Sequence, residues 1–241
     1  MGVQVKVDGA FRRLLRIVLP PKCLLCGGAG AKKRDLCAGC ARDFTLNRTC
    51  CARCALPLEA PAPLCGVCLC REPPFASAWV PFSYGHPLDL LETRFKFHRD
   101  LAAGRVLAEL LVERAGADAP ALPQLVIPIP LHVSRLRRRG YNQALELAQP
   151  LARQLGIPCA RAALVRTKAT PAQTGLDAKT RRRNVRGAFE IARAASFPAH
   201  VALFDDVMTT GATLREAARV LVRAGVDRVD VWALARAPYR R

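Results

Sequence analysis

Apolar residues along this chain fall into two rhythms, and their order points to an α/β fold. Short apolar runs of strand length occur near 125–129, 162–166, 201–205 and 228–235, and a further strand-like stretch spans Ala76 to Tyr84. Between them lie longer segments with helical spacing. Pro87 opens DLLETRFKFHRD, LAAGRVLAELLVERAGA follows, and helices are expected over 142–155 and 212–225. Strand signals alternating with helix signals predict a mostly parallel sheet flanked by helices on both faces. Pro150 lies inside the expected 142–155 helix. It has no N–H to donate, so it should kink that helix or end it early. Neither rhythm continues through residues 20–71. The Pro-rich stretch from Pro61 to Pro74 marks a boundary, giving a small module over 20–71 and a sheet domain over 75–241.

One apolar run ends in chemistry. Val201 to Thr213 reads VALFDDVMTTGAT, with Asp205 and Asp206 closing the strand signal and a helix-like LREAARVLVRAG after the turn. Charge at the end of an apolar strand is costly unless it is used. Thr209, Thr210, Gly211, Ala212 and Thr213 bring backbone N–H groups and hydroxyls to a helix N-terminus, which suits a phosphate. Two carboxylates beside that turn can grip vicinal hydroxyls of a sugar. Together they describe a ribose 5-phosphate pocket. No Lys follows the glycine, so this is not a Walker A loop. The segment resembles the phosphoribosyl-pyrophosphate (PRPP) signature of type I phosphoribosyltransferases. That resemblance implies acids on the 2- and 3-hydroxyls and Thr209 to Thr213 around the 5-phosphate.

The first 71 residues follow a different logic. Eight of the eleven cysteines form four C-x-x-C units: Cys23/Cys26, Cys37/Cys40, Cys51/Cys54 and Cys65/Cys68. Ten residues separate the first unit from the second, and ten the third from the fourth, which marks an internal duplication. Two C-x-x-C turns complete a tetrahedral sulfur site for zinc. Spacing alone also admits iron–sulfur ligation. It leaves open whether each repeat holds its own metal or the pairs interleave, and Cys50 beside Cys51 adds a possible register slip. The segment is too poor in aliphatics to fold on apolar burial, so metal would supply its folding free energy. Cys70 and Cys159 have no evident partner and read as small core residues.

Composition adds one strong bias. The 38 basic and 19 acidic side chains give a formal charge of +19, which predicts attraction to polyanions. No stretch approaches the roughly 18 apolar residues of a transmembrane helix. The leading segment lacks a small-residue cleavage site, so a cytoplasmic protein is expected. Phe11 to Leu19 reads as a short amphipathic helix or strand docked on the protein.

Two more stretches carry charge next to strand ends. Residues 126–143 read VIPIPLHVSRLRRRGYNQ, where Pro128 and Pro130 stiffen the strand exit and Asn142 is a candidate helix cap. Residues 166–189 form a polar, basic insert with Arg181, Arg182, Arg183 and Arg186, the composition of a mobile loop. The set resembles the ComF family of competence-associated phosphoribosyltransferase-domain proteins. The residues that carry the likeness are the double cysteine ribbon, Phe95-Lys96-Phe97, Pro128 to Leu131 and Arg139 to Gln143. Thr170 to Gln173, Arg181 to Asn184, Ala188-Phe189 and Val201 to Thr213 complete it.

The resemblance implies a type I phosphoribosyltransferase-like domain that binds PRPP with magnesium, next to structural zinc. It implies pyrophosphate facing the Ile127 to Leu131 turn with Pro128, Pro130 and Arg139. It also implies a 166–189 loop closing over the reaction centre, with Asp205, Asp206 and Arg182 as the catalytic set. Three functions compete. The first is phosphoribosyl transfer to an acceptor that no stretch encodes. The second is binding of nucleotide or single-stranded DNA through a basic rim of Arg137, Arg138, Arg182 and Arg183. The third is a docking role among DNA-uptake proteins. The oligomeric state is not encoded either.

Overall fold

The most apolar run becomes the centre of the sheet. The computed structural model describes residues 20–31, 34–118, 122–169, 183–193 and 195–238. Phe11 to Leu19, Thr170 to Gln173, Arg181 and Arg182 lie outside them. β6 (His200–Met208) is flanked by β3 (Leu125–Pro128) and β7 (Arg228–Arg236). β7 also pairs with the short strands β1 (Ala78–Trp79) and β2 (Phe82–Ser83). All of these pairings are parallel. Val201, Leu203, Val229, Val231 and Ala233 share one core with Leu214, Ala217, Ala218 and Leu221 of helix α7 (Ala212–Arg223). The alternate positions, Ala202, Phe204, Trp232 and Leu234, are fully buried on the opposite face. There α6 (Gln143–Leu155) packs on β3 and β6 and against α4 (Leu101–Asp118). α3 (Leu88–Phe97) packs on α4, and the Asp100 carboxylate accepts from the Ala103 N–H at 3.0 Å. The sheet is thus mostly parallel with helices on both faces, as the sequence predicts.

Three local expectations change. The strand at 162–166 is not in the main sheet: β4 (Leu164–Arg166) pairs antiparallel with β5 (Phe189–Ile191) in a separate two-stranded ribbon. That ribbon closes the base of the basic insert, and β5 had no sequence signal of its own. Pro150 does not end its helix. α6 runs through it to Leu155 and stops at Gly156, which takes the left-handed φ of 68°. Ala144, Leu147, Ala148, Leu151 and Ala152 form a continuous buried face that holds the helix across the proline. β6 does not stop at the acid pair either. It stays in register with β7 to Met208↔Arg236, three residues past Asp205.

The chain divides into two compact units, residues 1–44 and 45–241, so the division falls between the two cysteine repeats. The smaller unit holds α1 (Ala38–Arg42), capped by the Cys37 sulfur. The larger holds α2 (Gly66–Cys70) and the whole sheet. Cys51, Cys54, Cys65 and Cys68 belong to the same core as β6, β7 and α7.

Candidate functional site

The acid pair sits where one side of β6 loses its neighbour. Pro128 of β3 pairs with Phe204, and the Ile129 N–H donates to the Phe204 carbonyl at 2.8 Å. β3 then leaves through Pro130. The Asp206 N–H turns to the Asp205 carboxylate at 3.0 Å, and the Val207 N–H donates to Asp206 at 2.6 Å. Strand alternation sends the two carboxyls to opposite faces. The opening lies at the carboxyl end of a parallel sheet, where such folds bind ligands.

Each carboxyl meets a different set of cations. Lys96 of α3 reaches Asp206 at 3.0 Å and also contacts Glu92, which is 3% exposed. Burial pushes the Glu92 carboxyl up while Lys96 holds it back. Burial works against the Lys96 charge, yet Asp206 and Glu92 together carry its pKa above the ordinary lysine value. Asp205 is pushed up to about 8, first by burial and then by the charge of Asp206, with Lys96 opposing. Arg135 and Arg139 of α5 (Val133–Arg139) lie within electrostatic reach of Asp206, and Arg166 of β4 within reach of Asp205. Burial lowers the pKa of all three guanidinium groups. Neighbouring arginines lower it further: Arg138 at Arg135, and Arg135 at both Arg139 and Arg166. Crowded, partly desolvated cations of this kind favour an anion among them. Arg139 lies 5.6 Å over the Phe97 ring and Arg166 5.4 Å over Phe189, which fixes where the cations stand.

The turn after β6 has the geometry of an anion nest. Gly211 takes φ 70°, and a Cβ there would lie 2.7 Å from Met208 Cε. The N–H groups of Thr209, Thr210 and Gly211 meet no backbone acceptor among the described residues. Ala212 N–H donates to Thr210 Oγ1 at 3.3 Å, opening α7. Beneath the turn, Arg236 is 3% exposed, and its guanidinium donates to the carbonyls of Met208 (2.9 Å), Thr209, Ala237 (2.8 Å) and Cys54 (3.1 Å).

The cysteines resolve into two sets, each built from one repeat. The sulfurs of Cys23, Cys26, Cys37 and Cys40 lie within 4.8 Å of one another, as do those of Cys51, Cys54, Cys65 and Cys68. Cys26 and Cys37 sulfurs are 3.8 Å apart, and Cys54 and Cys65 sulfurs 3.7 Å. A zinc–sulfur bond of about 2.3 Å gives tetrahedral edges of about 3.8 Å, so both sets fit zinc. The knuckles match atom for atom. Gly27 N–H donates to the Cys23 carbonyl and Cys23 N–H to Gly28, just as Ala55 N–H donates to Cys51 and Cys51 N–H to Leu56. Burial disfavours the Cys23 and Cys51 thiolates, yet the N–H groups turned towards their sulfurs bring them down to about 6 and about 7. Cys50 bridges Pro57 instead of joining a set, so no register slip occurs.

A family model, double zinc ribbon domain, matches residues 14–69. Competence protein F of Haemophilus influenzae is 41% identical over 224 residues, covering 90% of this chain and 97% of the relative. The chain belongs to the ComF family. DNA utilization protein YhgH of Salmonella typhi is 36% identical over 91% of this ComF chain and 99% of its own length. Among solved structures, glutamine PRPP amidotransferase from B. subtilis is 20% identical over 54% of this chain and 26% of that one, with a TM-score of 0.38. Adenine phosphoribosyltransferase from Trypanosoma brucei is 10% identical over 66% and 83%, also with a TM-score of 0.38.

In this ComF protein Pro128, Pro130, Arg139, Asp205, Asp206 and Thr209 to Thr213 come to one edge of the sheet. Arg137 and Arg138 are exposed on α5. Arg183 instead lines a cavity of about 560 Å³ with Arg71, Arg186, Arg215, Arg219 and Arg223, where Glu216 is the single acid among the described residues. Among the described residues no helix is long and apolar enough to cross a membrane. Sequence reasoning gave no role to Glu92, Arg166 or Arg236, and marked Lys96 and Arg135 only as members of a motif and of a basic run. Glu92 and Lys96 carried a usable signal, an i, i+4 ion pair within an apolar helix face. Arg236 carried another, a lone charge closing an apolar strand.

Proposed function

We propose that this protein binds PRPP with magnesium at Asp205 to Thr213 and works on nucleotides in the handling of DNA taken up by the cell. The observation that carries the reading is the joining of two carboxylates to a phosphate-type turn on one strand. A ligand for both must offer hydroxyls and a phosphate on one small frame, which a phosphorylated ribose does. Arg135, Arg139 and Arg166 supply guanidinium groups for a second phosphate cluster at the β3 exit. Magnesium takes oxygen ligands and would travel with the pyrophosphate, offsetting its charge. Transfer of the phosphoribosyl group needs no protein base at the leaving pyrophosphate. The competence and DNA-utilization names of the relatives support the setting. Calorimetric titration of magnesium-PRPP, followed by turnover assays with a panel of nucleobases, tests the reading. Absence of PRPP binding by the zinc-loaded protein would reject it.

The arginine-lined cavity favours a second reading alongside the first. Arg215, Arg219 and Arg223 recur every fourth residue on α7, so they share one helix face. Arg71 and Arg183 face the same space. A chain of phosphates suits this spacing better than one small anion, and single-stranded DNA is the ligand that the relatives' names suggest.

A further inference from the structure

We infer that Arg236 is a positioning residue that couples the second cysteine set to the turn at Thr209 to Thr213. The functional part of this inference rests on the anion-binding reading of that turn; the mechanical part does not.

Arg236 is buried, and every acceptor shown for it is a main-chain carbonyl. Nη1 holds Met208 and Thr209, the residues that enter the turn. Nε, on the adjacent edge of the same plane, holds Cys54, a metal-ligand position. A planar guanidinium makes these bonds at fixed angles, so it transmits the position of one loop to the other. The carbonyls of Met208 and Thr209 face inward to Arg236. That orientation leaves the following N–H groups to face outward, as an anion site requires. Met208 completes the packing, with its methyl group filling the space that a Cβ at Gly211 would need.

Charge explains why the cysteine set belongs in this arrangement. A desolvated guanidinium with carbonyl partners alone is a costly group. Four thiolates around one zinc ion carry net negative charge, and this set lies in the same core as the arginine. Metal loading therefore supplies the counter-charge for Arg236. The knuckle is otherwise tied down by Asn47, which donates to Ala55 (2.8 Å) and Val80 (3.1 Å), and by Arg53, which donates to Ala76 (2.7 Å). Those bonds reach the sheet edge near β1, and Arg236 alone among these ties reaches the turn.

The test uses the full-length, zinc-loaded protein and R236K, which keeps the charge and loses the fork. Hydrogen exchange without ligand should show amides 209–213 exchanging about tenfold faster in R236K, while amides 201–204 are unchanged. Alkylation mapping under a zinc chelator should show Cys51, Cys54, Cys65 and Cys68 losing protection sooner than in the wild type, with the first set unaffected. Unchanged exchange at 209–213 overturns the inference. A wild-type arm covers a variant that fails to fold. As chelator rises, exchange at 209–213 should increase in step with metal loss from the second set and before amides 201–204 respond. Simultaneous release of all these amides, or no release at the turn, overturns the coupling. Magnesium-PRPP separates the two readings. If wild type binds it and R236K binds about tenfold more weakly, both stand. If neither binds while exchange responds, the coupling stands and the PRPP reading falls. Equal binding by both proteins overturns the role of Arg236 at the anion site.

Discussion

Two cationic regions of the larger unit differ in one respect. Around β6 and α5, Lys96, Arg135, Arg139 and Arg166 surround three carboxyls: Glu92, Asp205 and Asp206. Beside α7, three of its arginines and three from other segments share a cavity in which Glu216 is the single acid among the described residues, and that acid is committed to Arg219 (2.7 Å) and the Gly187 N–H (2.7 Å). The first region is nearly balanced and partly desolvated, which suits the proposed ligand with both hydroxyls and phosphates. Among the described residues the second has unbalanced charge, which suits the proposed chain of phosphates. Net charge alone does not distinguish these regions; the placement of acids does.

The largest expected effect breaks the symmetry between them. D206N removes the acceptor proposed for a ribose hydroxyl and the partner of Lys96. Magnesium-PRPP affinity should fall about ten- to a hundredfold, while affinity for a short oligonucleotide stays the same. A parallel loss of both in calorimetry would mean one shared surface. The converse substitution, R219Q/R223Q, should leave PRPP binding intact and weaken the oligonucleotide. Across a salt series its log–log slope should shrink by about 1.4, corresponding to two single-strand phosphates. An unchanged slope would remove α7 from nucleic-acid binding.

Much of the first region was legible in the sequence, and the reason is local. Asp205 and Asp206 follow an apolar run and precede a threonine-glycine turn, so the anomaly and its use lie within thirteen residues. What escaped depends on partners distant in sequence. β6 continues past the acids because β7 supplies its ladder to Arg236. Leu164–Arg166 joins Phe189–Ile191 because the insert between them returns the chain to that strand. The cysteine pairing was open because identical spacing serves both arrangements, and only the fold brings each repeat onto itself. Phe95-Lys96-Phe97 was visible as a motif, but the approach of Lys96 to Asp206 depends on where α3 packs. Pro150 did not end α6 because the buried face of that helix outweighs one missing hydrogen bond.

A smaller effect sharpens the electrostatic side of the comparison. The Asp205 carboxyl, raised to about 8 by burial and by Asp206, holds its proton more tightly in the folded than in the unfolded chain. Its contribution to stability is therefore complete below the ordinary aspartate range and is lost as pH rises through about 8. D205N should raise Tm by a few degrees, with a gap that widens from about pH 4 to 8 and then levels off. PRPP binding to wild type should tighten from pH 7 to 9 with proton release, and D205N should abolish that dependence. Calorimetry in buffers of different ionisation enthalpy reads the proton directly. No proton release, with equal pH profiles, would remove Asp205 from hydroxyl binding.

The smallest effect concerns shape. G211A places a Cβ on a left-handed backbone against Met208, so it should cost about 1–2 kcal/mol of stability and weaken PRPP without touching the oligonucleotide. Denaturant unfolding and the same two titrations check it.

The location of PRPP is tested most directly by a hydrogen-exchange footprint of the zinc-loaded protein with and without saturating magnesium-PRPP. Protection should appear at 205–213 and 127–131 and be absent along 215–223. Protection confined to 183–187 and 215–223, with none at 205–213, would contradict the assignment of PRPP to the acid-pair turn.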